Sequence, residues 1–362
     1  MTGPARILLV DDSVVVRGLL SRTIDAEPDL EVLSTAPNGR IGVEKVRSLE
    51  PDLVVLDIEM PEMNGLEALQ EIRKSHPDLP VIMFSTLTGD GASVTVEALA
   101  KGASDYATKP TNTGNVMEAM SHVEAELISK IRTLVSARRP RRTPAPPVQR
   151  TTTRTGNAAG ITAVVVGSST GGPVALEEML SRMQTALPVP MFIVQHMPET
   201  FTRALAERLD RKTVHHVVEG EHGMTVEPGT VYIAPGGKQM SLRSFGAHVT
   251  VKITDDPPVN SCKPSVEPLF DSAAEIYGRS TLAVMLTGMG SDGTDGTRRL
   301  ADLGCDVFAQ DEATSVVWGM PGSVVDNGLA TRVLPIDQIG PEIAARVAGR
   351  PVTSSTRAGV TT

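Results

Sequence analysis

Short apolar runs alternate with amphipathic stretches through the first 136 residues of the chain. Each run is rich in β-branched residues, and the stretch that follows it carries apolar residues at helical spacing. Strands that alternate with helices in this way form a parallel sheet covered by helices. We therefore predict an α/β domain with a doubly wound sheet of five parallel strands. The five runs read RILLV, EVLSTA, DLVVLD, VIMFS and SDYAT.

A second series of apolar runs begins after residue 161 and predicts another α/β domain with a doubly wound parallel sheet. Helical segments are predicted at 173–183, 202–211, 264–277 and 293–302. Two of the runs, QMSLRS and HVTVKITD, have the spacing of a hairpin, so we expect an antiparallel insertion. The other runs read TAVVVG, PMFIVQH, TVHHVVE, GTVYIAP, TLAVMLTG and CDVFAQ.

Between the two series lies the segment SARRPRRTPAPPVQRTTTRTG, which contains prolines, threonines and six arginines but no acidic residue. Such a composition is typical of an extended, well-solvated linker. We therefore predict a first domain at 1–136, a linker at 137–159, a second domain at 160–350 and a loose tail at 351–362.

The bulk composition narrows the classes of function. A chain of 362 residues has room for two domains, and its formal charge of −9 argues against nucleic acid as a general partner. Its two cysteines cannot form a disulfide framework and lack metal-ligand spacing. The N-terminal apolar run is too short for a secretory signal or a membrane span. We expect a cytoplasmic protein with no nucleic-acid partner and no direct membrane insertion.

Polar side chains cluster at the predicted strand ends of the first domain. Asp11 and Asp12 end the first strand, Asp57 ends the third, Ser85 ends the fourth and Lys109 follows the fifth. Sites in parallel α/β sheets form at the carboxyl ends of the strands, so these groups should converge. Three carboxylates in one place favour a bound Mg²⁺. Helix capping explains each acid singly, but it does not explain the matched serine and lysine.

These motifs, LLVDDS, VVLDIEMPEMNGLEAL, VIMFST and DYATKP, resemble the receiver domain of two-component response regulators over essentially all of the first domain. The resemblance implies a flavodoxin-like fold that is phosphorylated with the help of Mg²⁺. It also implies a role for each matching residue. Asp57 is the phospho-acceptor, Asp11 and Asp12 are metal ligands together with the Glu59 backbone carbonyl, Lys109 pairs with the phosphoryl group, Ser85 is the switch hydroxyl, and Tyr106 is the aromatic residue that follows the switch.

The turn GSSTGG at 167–172 raises a choice between phosphate binding and nucleophilic chemistry. A dinucleotide fingerprint needs G-x-G-x-x-G with a later acid, and a P-loop needs G-x-x-x-x-G-K-[ST]. The turn meets neither spacing, because the middle glycine is missing, no lysine follows, and the next strand ends in His196. A Gly-rich turn alone is weak evidence for either function.

Ser169, His196 and Asp292 each follow a predicted strand and are expected at one edge of one sheet. A nucleophile, a base and an orienting acid need that arrangement. On the pattern alone, a structural role for His196 is as plausible as a catalytic one. The other histidines fit less well, since His215, His216 and His248 lie within strand-like runs and His222 lies in an acidic loop. Cys262 lies in a polar loop with no base assigned to it, which makes it a poor nucleophile candidate.

The motifs of the second domain resemble the catalytic domain of chemotaxis protein-glutamate methylesterases, a family in which a receiver is linked to this domain. The resemblance implies a Rossmann-like fold, Ser169 as nucleophile, His196 as general base and Asp292 as the orienting acid. Thr170 would support the site, and the Met289 amide would lie in the oxyanion hole. The matching motifs read VGSSTGGP, VQHMPETFTRALAERL, VYIAPGGKQM, DDPPVNSCKPSVEPLF, LTGMGSDGTDG and AQDEATSVVWGMP.

The implied function is removal of methyl groups from γ-glutamyl methyl esters of membrane-bound methyl-accepting chemoreceptors, with deamidation of glutamines at the same sites. The implied phosphodonor is a chemotaxis histidine kinase, and the ester hydrolysis itself needs no cofactor. A different class of function stays open, namely a response regulator whose output domain only binds a ligand or a partner. A DNA-binding output is disfavoured by the acidic charge and by the lack of a compact helix-turn-helix after the linker.

Overall fold

A computed structural model describes residues 3–86, 89–109, 116–138, 160–246 and 248–349. The chain divides into two compact units, 1–143 and 144–362. Nearly all of the predicted linker and the whole predicted tail lie outside the described residues. The last helix of the first unit extends to Arg138, two residues beyond the predicted end of the first domain.

The N-terminal unit is a five-stranded parallel sheet with the strand order β2-β1-β3-β4-β5. Every residue of β3 and β4 is buried, because helices cover both faces of the sheet. The prediction of a doubly wound domain is confirmed. The elements are β1 Ala5–Val10, α1 Val14–Asp25, β2 Leu30–Ala36, α2 Gly39–Leu49, β3 Leu53–Asp57, α3 Gly65–Ser75, β4 Val81–Ser85, α4 Gly89–Ala100, β5 Asp105–Thr108 and α5 Val116–Arg138.

The strand order of this unit reverses at β1, which lies between β2 and β3. A crevice forms at the carboxyl ends of the strands where the order reverses. Asp11 follows β1 and Asp57 ends β3, so both acids lie at this crevice. Helix α1 begins beside it, with the Ser13 hydroxyl accepting a hydrogen bond from the Val16 amide at 3.3 Å.

The C-terminal unit contains a seven-stranded parallel sheet with the order β14-β13-β12-β6-β7-β9-β8, and β10 and β11 pair as a separate antiparallel hairpin. Both features agree with the predicted fold. The elements are β6 Ala163–Ser168, α6 Gly172–Ser181, β7 Met191–Gln195, α7 Glu199–Lys212, β8 His216–Glu219, β9 Thr230–Ile233, β10 Gln239–Phe245, β11 His248–Thr254, α8 Val266–Ile276, β12 Thr281–Met285, α9 Thr294–Asp302, β13 Asp306–Gln310, α10 Met320–Asp326, β14 Arg332–Leu334 and α11 Ile336–Val347.

The central strands β12, β6 and β7 end at the same level. Gly167 of β6 is the register partner of both Met285 in β12 and Val194 in β7. The loops that follow these three strands therefore leave the sheet side by side. A buried core that includes Val165, Phe192 and Phe270 holds the sheet against its helices, so this edge is a rigid platform.

The structure differs from the strand pattern at two places. His215 lies in the turn between α7 and β8, since β8 begins only at His216. The turn is fixed by polar contacts, because the Asp210 carboxylate accepts a hydrogen bond from the Val217 amide at 2.9 Å. The edge strand β14 has only three residues, too few for a period-two pattern to be recognised.

A buried ion pair anchors the last helix of the C-terminal unit to the sheet. Arg346 of α11 donates from Nε to Asp306 Oδ2 of β13 over 2.6 Å, and the two side chains are 3% and 0% exposed. Removing one partner of such a pair leaves an uncompensated buried charge. The pair therefore ties residues forty positions apart in the sequence into one core.

We predict that Asp306→Ala destabilises the C-terminal unit by about 3–5 kcal/mol, since the Arg346 guanidinium stays buried without its carboxylate. Urea unfolding of the full chain, followed by circular dichroism, measures the loss. Glu178→Ala is the matched control, because it breaks the solvent-exposed pair with Arg182 and should give no measurable change. Equal midpoints for the wild type and Asp306→Ala would contradict the anchoring role.

Candidate functional site

Ser169, His196 and Asp292 lie in the three loops at the level end of the central strands. Ser168 and Gln195 are register partners at the ends of β6 and β7, so Ser169 and His196 are the next residues along adjacent strands. Asp292 lies in the loop between β12 and α9. The predicted convergence at one sheet edge is confirmed for the histidine and the acid, because His196 Nε2 lies 2.9 Å from Asp292 Oδ2.

Four hydrogen bonds hold the buried Asp292 carboxylate. Its Oδ1 accepts from Ser265 Oγ at 2.7 Å and from Asn260 Nδ2 at 3.0 Å. Its Oδ2 accepts from the Val266 amide at 2.7 Å and is the atom bonded to His196. Burial alone would raise the pKa of Asp292, but the bond to His196 and the further donors lower it. The group is therefore a fixed anion.

His196 is oriented with Nε2 toward Asp292 and Nδ1 toward Cys262, whose Sγ lies 3.6 Å away. Burial alone would lower the pKa of His196, but the bond to Asp292 and the contact with Cys262 raise it to about 9. The acid occupies Nε2, so Nδ1 is the nitrogen available to a reacting group. Serine proteases of the chymotrypsin type use the two nitrogens in the opposite sense.

The contact with His196 corrects one interpretation of the sequence. The sequence assigns no base to Cys262, whereas the structure places it next to an imidazole that a buried carboxylate orients. Loop residues 255–265 carry no periodic pattern, and so their proximity to His196 could not be read from the chain. The Cys262 side chain is partly exposed, whereas Cys305 is buried.

The two adjacent serines of the turn differ in their surroundings. Ser168 is fully buried, and its hydroxyl donates to Gln195 Oε1 at 2.7 Å. Gln195 Nε2 in turn donates to the Ser169 carbonyl at 2.9 Å, which fixes the backbone of the second serine. Ser169 is partly exposed at the sheet edge, where a reacting hydroxyl must lie. Of the two, only Ser169 is accessible to a substrate.

No hydrogen bond links the Ser169 hydroxyl to His196 among the contacts of the described residues. The backbone of Ser169 is nevertheless fixed, because its amide donates to the Thr287 carbonyl at 3.0 Å. Catalytic hydrogen bonds of free enzymes are often long and tighten when substrate binds. The placement of Ser169 beside His196 on adjacent strands is compatible with that behaviour.

Glycines in the turn and in the facing loop serve close packing. A Cβ on Gly172 would lie 1.9 Å from Gln195 Oε1, and Gly171 has the left-handed φ of +78°. A Cβ on Gly288 would lie 2.9 Å from the Ser169 Cβ. The glycines therefore allow two loops to approach each other around Ser169. They serve this packing, and they do not follow the spacing of a nucleotide-binding motif.

The choice of oxyanion donors is limited by amides that already have partners. The Ser169 amide donates to Thr287, and the Gly288 amide donates to a loop carbonyl at 3.1 Å. Met289 follows Gly288 in this loop, and the Thr170 carbonyl accepts from the Thr287 hydroxyl at 2.9 Å. Thr170 and Met289 thus lie in the two loops that flank Ser169, and their roles stay predictions.

The N-terminal unit brings its predicted polar residues together. Asp11, Asp12 and Asp57 offer carboxylate oxygens within 4.8 Å of one another. Lys109 Nζ lies 2.7 Å from Asp57 Oδ1 and 2.9 Å from Asp11 Oδ2. The second oxygen of Asp57, Oδ2, is buried and has no hydrogen-bond partner among the described residues. A hard divalent cation such as Mg²⁺ suits this oxygen set.

Burial raises the pKa of Asp57 to about 6, against the opposing effect of Lys109 and with a further rise from the nearby Asp11 carboxylate. For Lys109, burial alone would lower the pKa, but the bonds to Asp57 and Asp11 raise it. The lysine is therefore a permanent cation beside a carboxylate that is poorly stabilised as an anion. Such a carboxylate gains from added positive charge.

The structure also describes Ser85, Tyr106 and Glu59, the remaining predicted residues of this unit. Ser85 is buried and accepts a hydrogen bond from Thr95 Oγ1 at 2.8 Å. The Tyr106 ring is buried with Lys130 Nζ 4.5 Å from its centroid. The Glu59 amide lies 3.4 Å from Asp57 Oδ1, which places its backbone at the acidic cluster. Their switching and ligand roles stay predictions.

Sequence reasoning missed the residues that support the site from neighbouring loops. Asn260 and Ser265 hold Asp292, Gln195 links the two serines, and Thr287 supports the turn. The polar Gln195 at the end of an apolar strand is a signal that was available. Asn260 and Ser265 are ordinary loop residues, and only the fold reveals their partner.

Comparison with known sequences matches both units. The family described as CheB methylesterase matches residues 164–343, and the one described as response regulator receiver domain matches residues 7–121.

Among the described residues, no helix combines the length and the apolar character needed to cross a lipid bilayer.

Curated relatives match nearly the whole chain. A protein-glutamate methylesterase/protein-glutamine glutaminase of Nocardioides sp. is 49% identical, over 95% of this chain and 95% of that relative. One of that name from Caulobacter vibrioides is 45% identical, over 94% and 98%. The crystal structure of the Thermotoga maritima CheB methylesterase catalytic domain has a TM-score of 0.50 at 42% identity, and the match covers 51% of this chain and 98% of that one.

We predict that His196 titrates with a pKa of about 9 in the folded chain, above its ordinary value of 6.5. Asp292→Asn should move the midpoint down toward 6.5, since the carboxylate that stabilises the imidazolium is lost. By linkage, the pairing stabilises the fold fully below pH 6.5, and this contribution disappears as the pH rises through about 9.

Titration of histidine-labelled protein by NMR measures the His196 midpoint. Asp210→Asn is the control, because Asp210 lies 3.2 Å from the exposed His216 and has no contact with His196. A wild-type midpoint near the ordinary value, or one that Asp292→Asn leaves unmoved, would show that the pair is electrostatically unimportant.

Proposed function

The chain belongs to the CheB methylesterase family, and from that premise we propose that Ser169, His196 and Asp292 are the groups that hydrolyse the ester. The protein is an enzyme, a carboxylic ester hydrolase with a receiver domain. The single observation that carries the residue assignment is the His196–Asp292 hydrogen bond at the edge from which Ser169 also emerges. That bond engages Nε2 and leaves Nδ1 as the nitrogen that can accept a proton.

The reaction is acyl transfer through the serine. Ser169 Oγ attacks the carbonyl carbon of a γ-glutamyl methyl ester, and His196 Nδ1 accepts the hydroxyl proton. The tetrahedral intermediate collapses as Nδ1 returns the proton to the departing methoxy oxygen, which leaves as methanol. Water, deprotonated by the same nitrogen, then hydrolyses the acyl-enzyme to free glutamate and serine.

Asp292 stabilises the imidazolium that forms at each proton transfer and fixes the tautomer that leaves Nδ1 unprotonated. The same sequence applied to a glutamine side chain releases ammonia in place of methanol. The names of the relatives, which combine methylesterase and glutaminase, support both reactions. The substrates are therefore glutamyl methyl esters and glutamines of chemoreceptors, which are membrane-bound partners.

Phosphorylation of the receiver regulates the enzyme. Asp57 accepts the phosphoryl group from a chemotaxis histidine kinase, and Lys109 pairs with the phosphoryl oxygens. Asp11, Asp12, Asp57 and the Glu59 carbonyl would hold Mg²⁺, which neutralises phosphoryl charge when bound. The unpartnered Asp57 oxygen and the three clustered carboxylates support that assignment.

We infer that changes at Asp57 are transmitted through the buried residues Ser85 and Tyr106. We place the reaction in the cytoplasm, where chemotaxis kinases present their phosphoryl groups. A non-catalytic output domain is not favoured, because the family match covers the residues that form the Ser-His-Asp arrangement.

We predict that Ser169→Ala lowers the rate of methanol release from methylated receptor membranes by about 10⁴-fold or more, since the nucleophile is lost. Ser168→Ala is the matched control. Its buried hydroxyl bonds to Gln195 Oε1 and to the Val194 carbonyl of β7 and is not exposed to a substrate, so the variant should keep most of the activity. Radiolabelled methanol is the measured product. The assignment fails if the Ser169 variant stays active or if Ser168→Ala is the inactive one.

We predict that a small phosphodonor with Mg²⁺ stimulates methanol release by the wild type and leaves Asp57→Ala at its basal rate. Chelation of the metal should remove the stimulation, because the clustered carboxylates repel a phosphoryl group without a cation. Equal stimulation of both proteins would refute regulation through Asp57 and leave the esterase assignment intact.

A further inference from the structure

Cys262 lies where the hydrolytic mechanism has no role for a thiol. Its Sγ is 3.6 Å from His196 Nδ1, the nitrogen that must stay free to accept the serine proton. The same thiol lies 3.4 Å from the Asn260 carbonyl, in a partly exposed loop at the mouth of the site. A thiol and an imidazole nitrogen thus face each other at an accessible position.

The separation of the two atoms suits a tetrahedral metal ion. Zinc binds thiolate sulfur at about 2.3 Å and imidazole nitrogen at about 2.0–2.1 Å, so a tetrahedral angle separates the two donors by about 3.6 Å. The observed distance from Cys262 Sγ to His196 Nδ1 is 3.6 Å. The two donor atoms are therefore already separated by the distance that a tetrahedral metal ion requires.

The surroundings supply the outer shell that such a ligand histidine requires. Metal-binding histidines donate their second ring N–H to a carboxylate, which fixes the ring and raises its basicity. His196 Nε2 has that partner in Asp292 Oδ2 at 2.9 Å, and Asn260 and Ser265 hold the carboxylate in turn. The three residues His196, Cys262 and Asp292 present ligand atoms within 4.8 Å of one another.

We propose that His196 Nδ1 and Cys262 Sγ form a binding site for a thiophilic divalent cation, Zn²⁺, which inhibits the esterase reversibly. Binding releases the thiol proton of Cys262 and, from charged His196, the Nδ1 proton, and it occupies the nitrogen lone pair that the serine proton needs. Water completes the tetrahedron. The site goes beyond the proposed hydrolysis, and only its inhibitory effect rests on that function.

The acidic cluster of the receiver and the His196–Cys262 pair differ in the softness of their ligand atoms. The receiver cluster of Asp11, Asp12 and Asp57 offers only oxygens and suits Mg²⁺, whereas a thiolate and an imidazole select zinc-like ions. An excess of Mg²⁺ therefore occupies the first cluster and leaves the second one open. This difference allows the two to be studied separately in the full-length protein.

Cobalt replaces zinc as a spectroscopic probe of the thiolate ligand. Full-length Ser169→Ala protein in excess Mg²⁺ should develop thiolate-to-cobalt charge-transfer absorption in the near ultraviolet when Co²⁺ is added. Adding Cys262→Ser should remove that absorption, whereas adding His216→Asn, which alters the exposed His216–Asp210 pair, should preserve it. This readout needs no esterase activity, so it stands or fails independently of the proposed function.

Inhibition is tested with Zn²⁺ on methanol release, each protein being compared with its own zinc-free rate. Zinc should inhibit the wild type, and Cys262→Ser should need at least about tenfold more zinc for half-inhibition. His216→Asn should match the wild type. The proposal is overturned if Co²⁺ gives no thiolate absorption or if the absorption survives Cys262→Ser. It is also overturned if the wild type and Cys262→Ser have the same zinc sensitivity.

Discussion

The buried Asp292 carboxylate is the constraint on which the catalytic edge depends. A carboxylate transferred from water into a protein interior is costly unless donors replace its hydration. Here the donors come from the end of β7, from the loop before α8 and from the first residue of α8 itself. The charge therefore ties the end of β7 and residues 260–266 to the loop that carries Asp292, three segments that are distant in the sequence, and the orientation of His196 follows from the same bonds.

Each unit has a buried acid at the carboxyl edge of its sheet, and the two acids differ in how well they are stabilised as anions. Asp292 has donors for both oxygens and a lowered pKa, which makes it a permanent structural anion. Asp57 has Lys109 and one long amide contact, keeps a buried oxygen to which no described residue donates, and has a pKa raised to about 6. A buried carboxylate with too few hydrogen-bond donors is stabilised when a cation binds beside it or when it is phosphorylated. The shortage of donors around Asp57 therefore explains both its raised pKa and its suitability as a phospho-acceptor.

The sequence predicts which residues lie at the strand ends, but it does not predict how their side chains are oriented. The short apolar runs located Ser169, His196 and the Asp292 loop, because parallel strands end at one edge whatever the details of their side chains. Neither the choice of Nδ1 over Nε2 nor the approach of Cys262 follows from such a pattern, since both depend on how residues 255–265 cross the site. The distinction between Ser168 and Ser169 is likewise one of burial, which adjacent positions do not reveal.

The raised pKa of His196 connects substrate docking with activation of the base. With a pKa of about 9, only about one imidazole in a hundred is neutral at pH 7, and only the neutral form accepts the serine proton. The side chain is 14% exposed, so water still solvates the charged ring in the free enzyme. If the substrate is the receptor helix of the proposed function, its docking over this edge would exclude that water and disfavour the charge. Such docking would shift His196 toward the neutral form, whereas small esters that leave the site hydrated would cause no such shift.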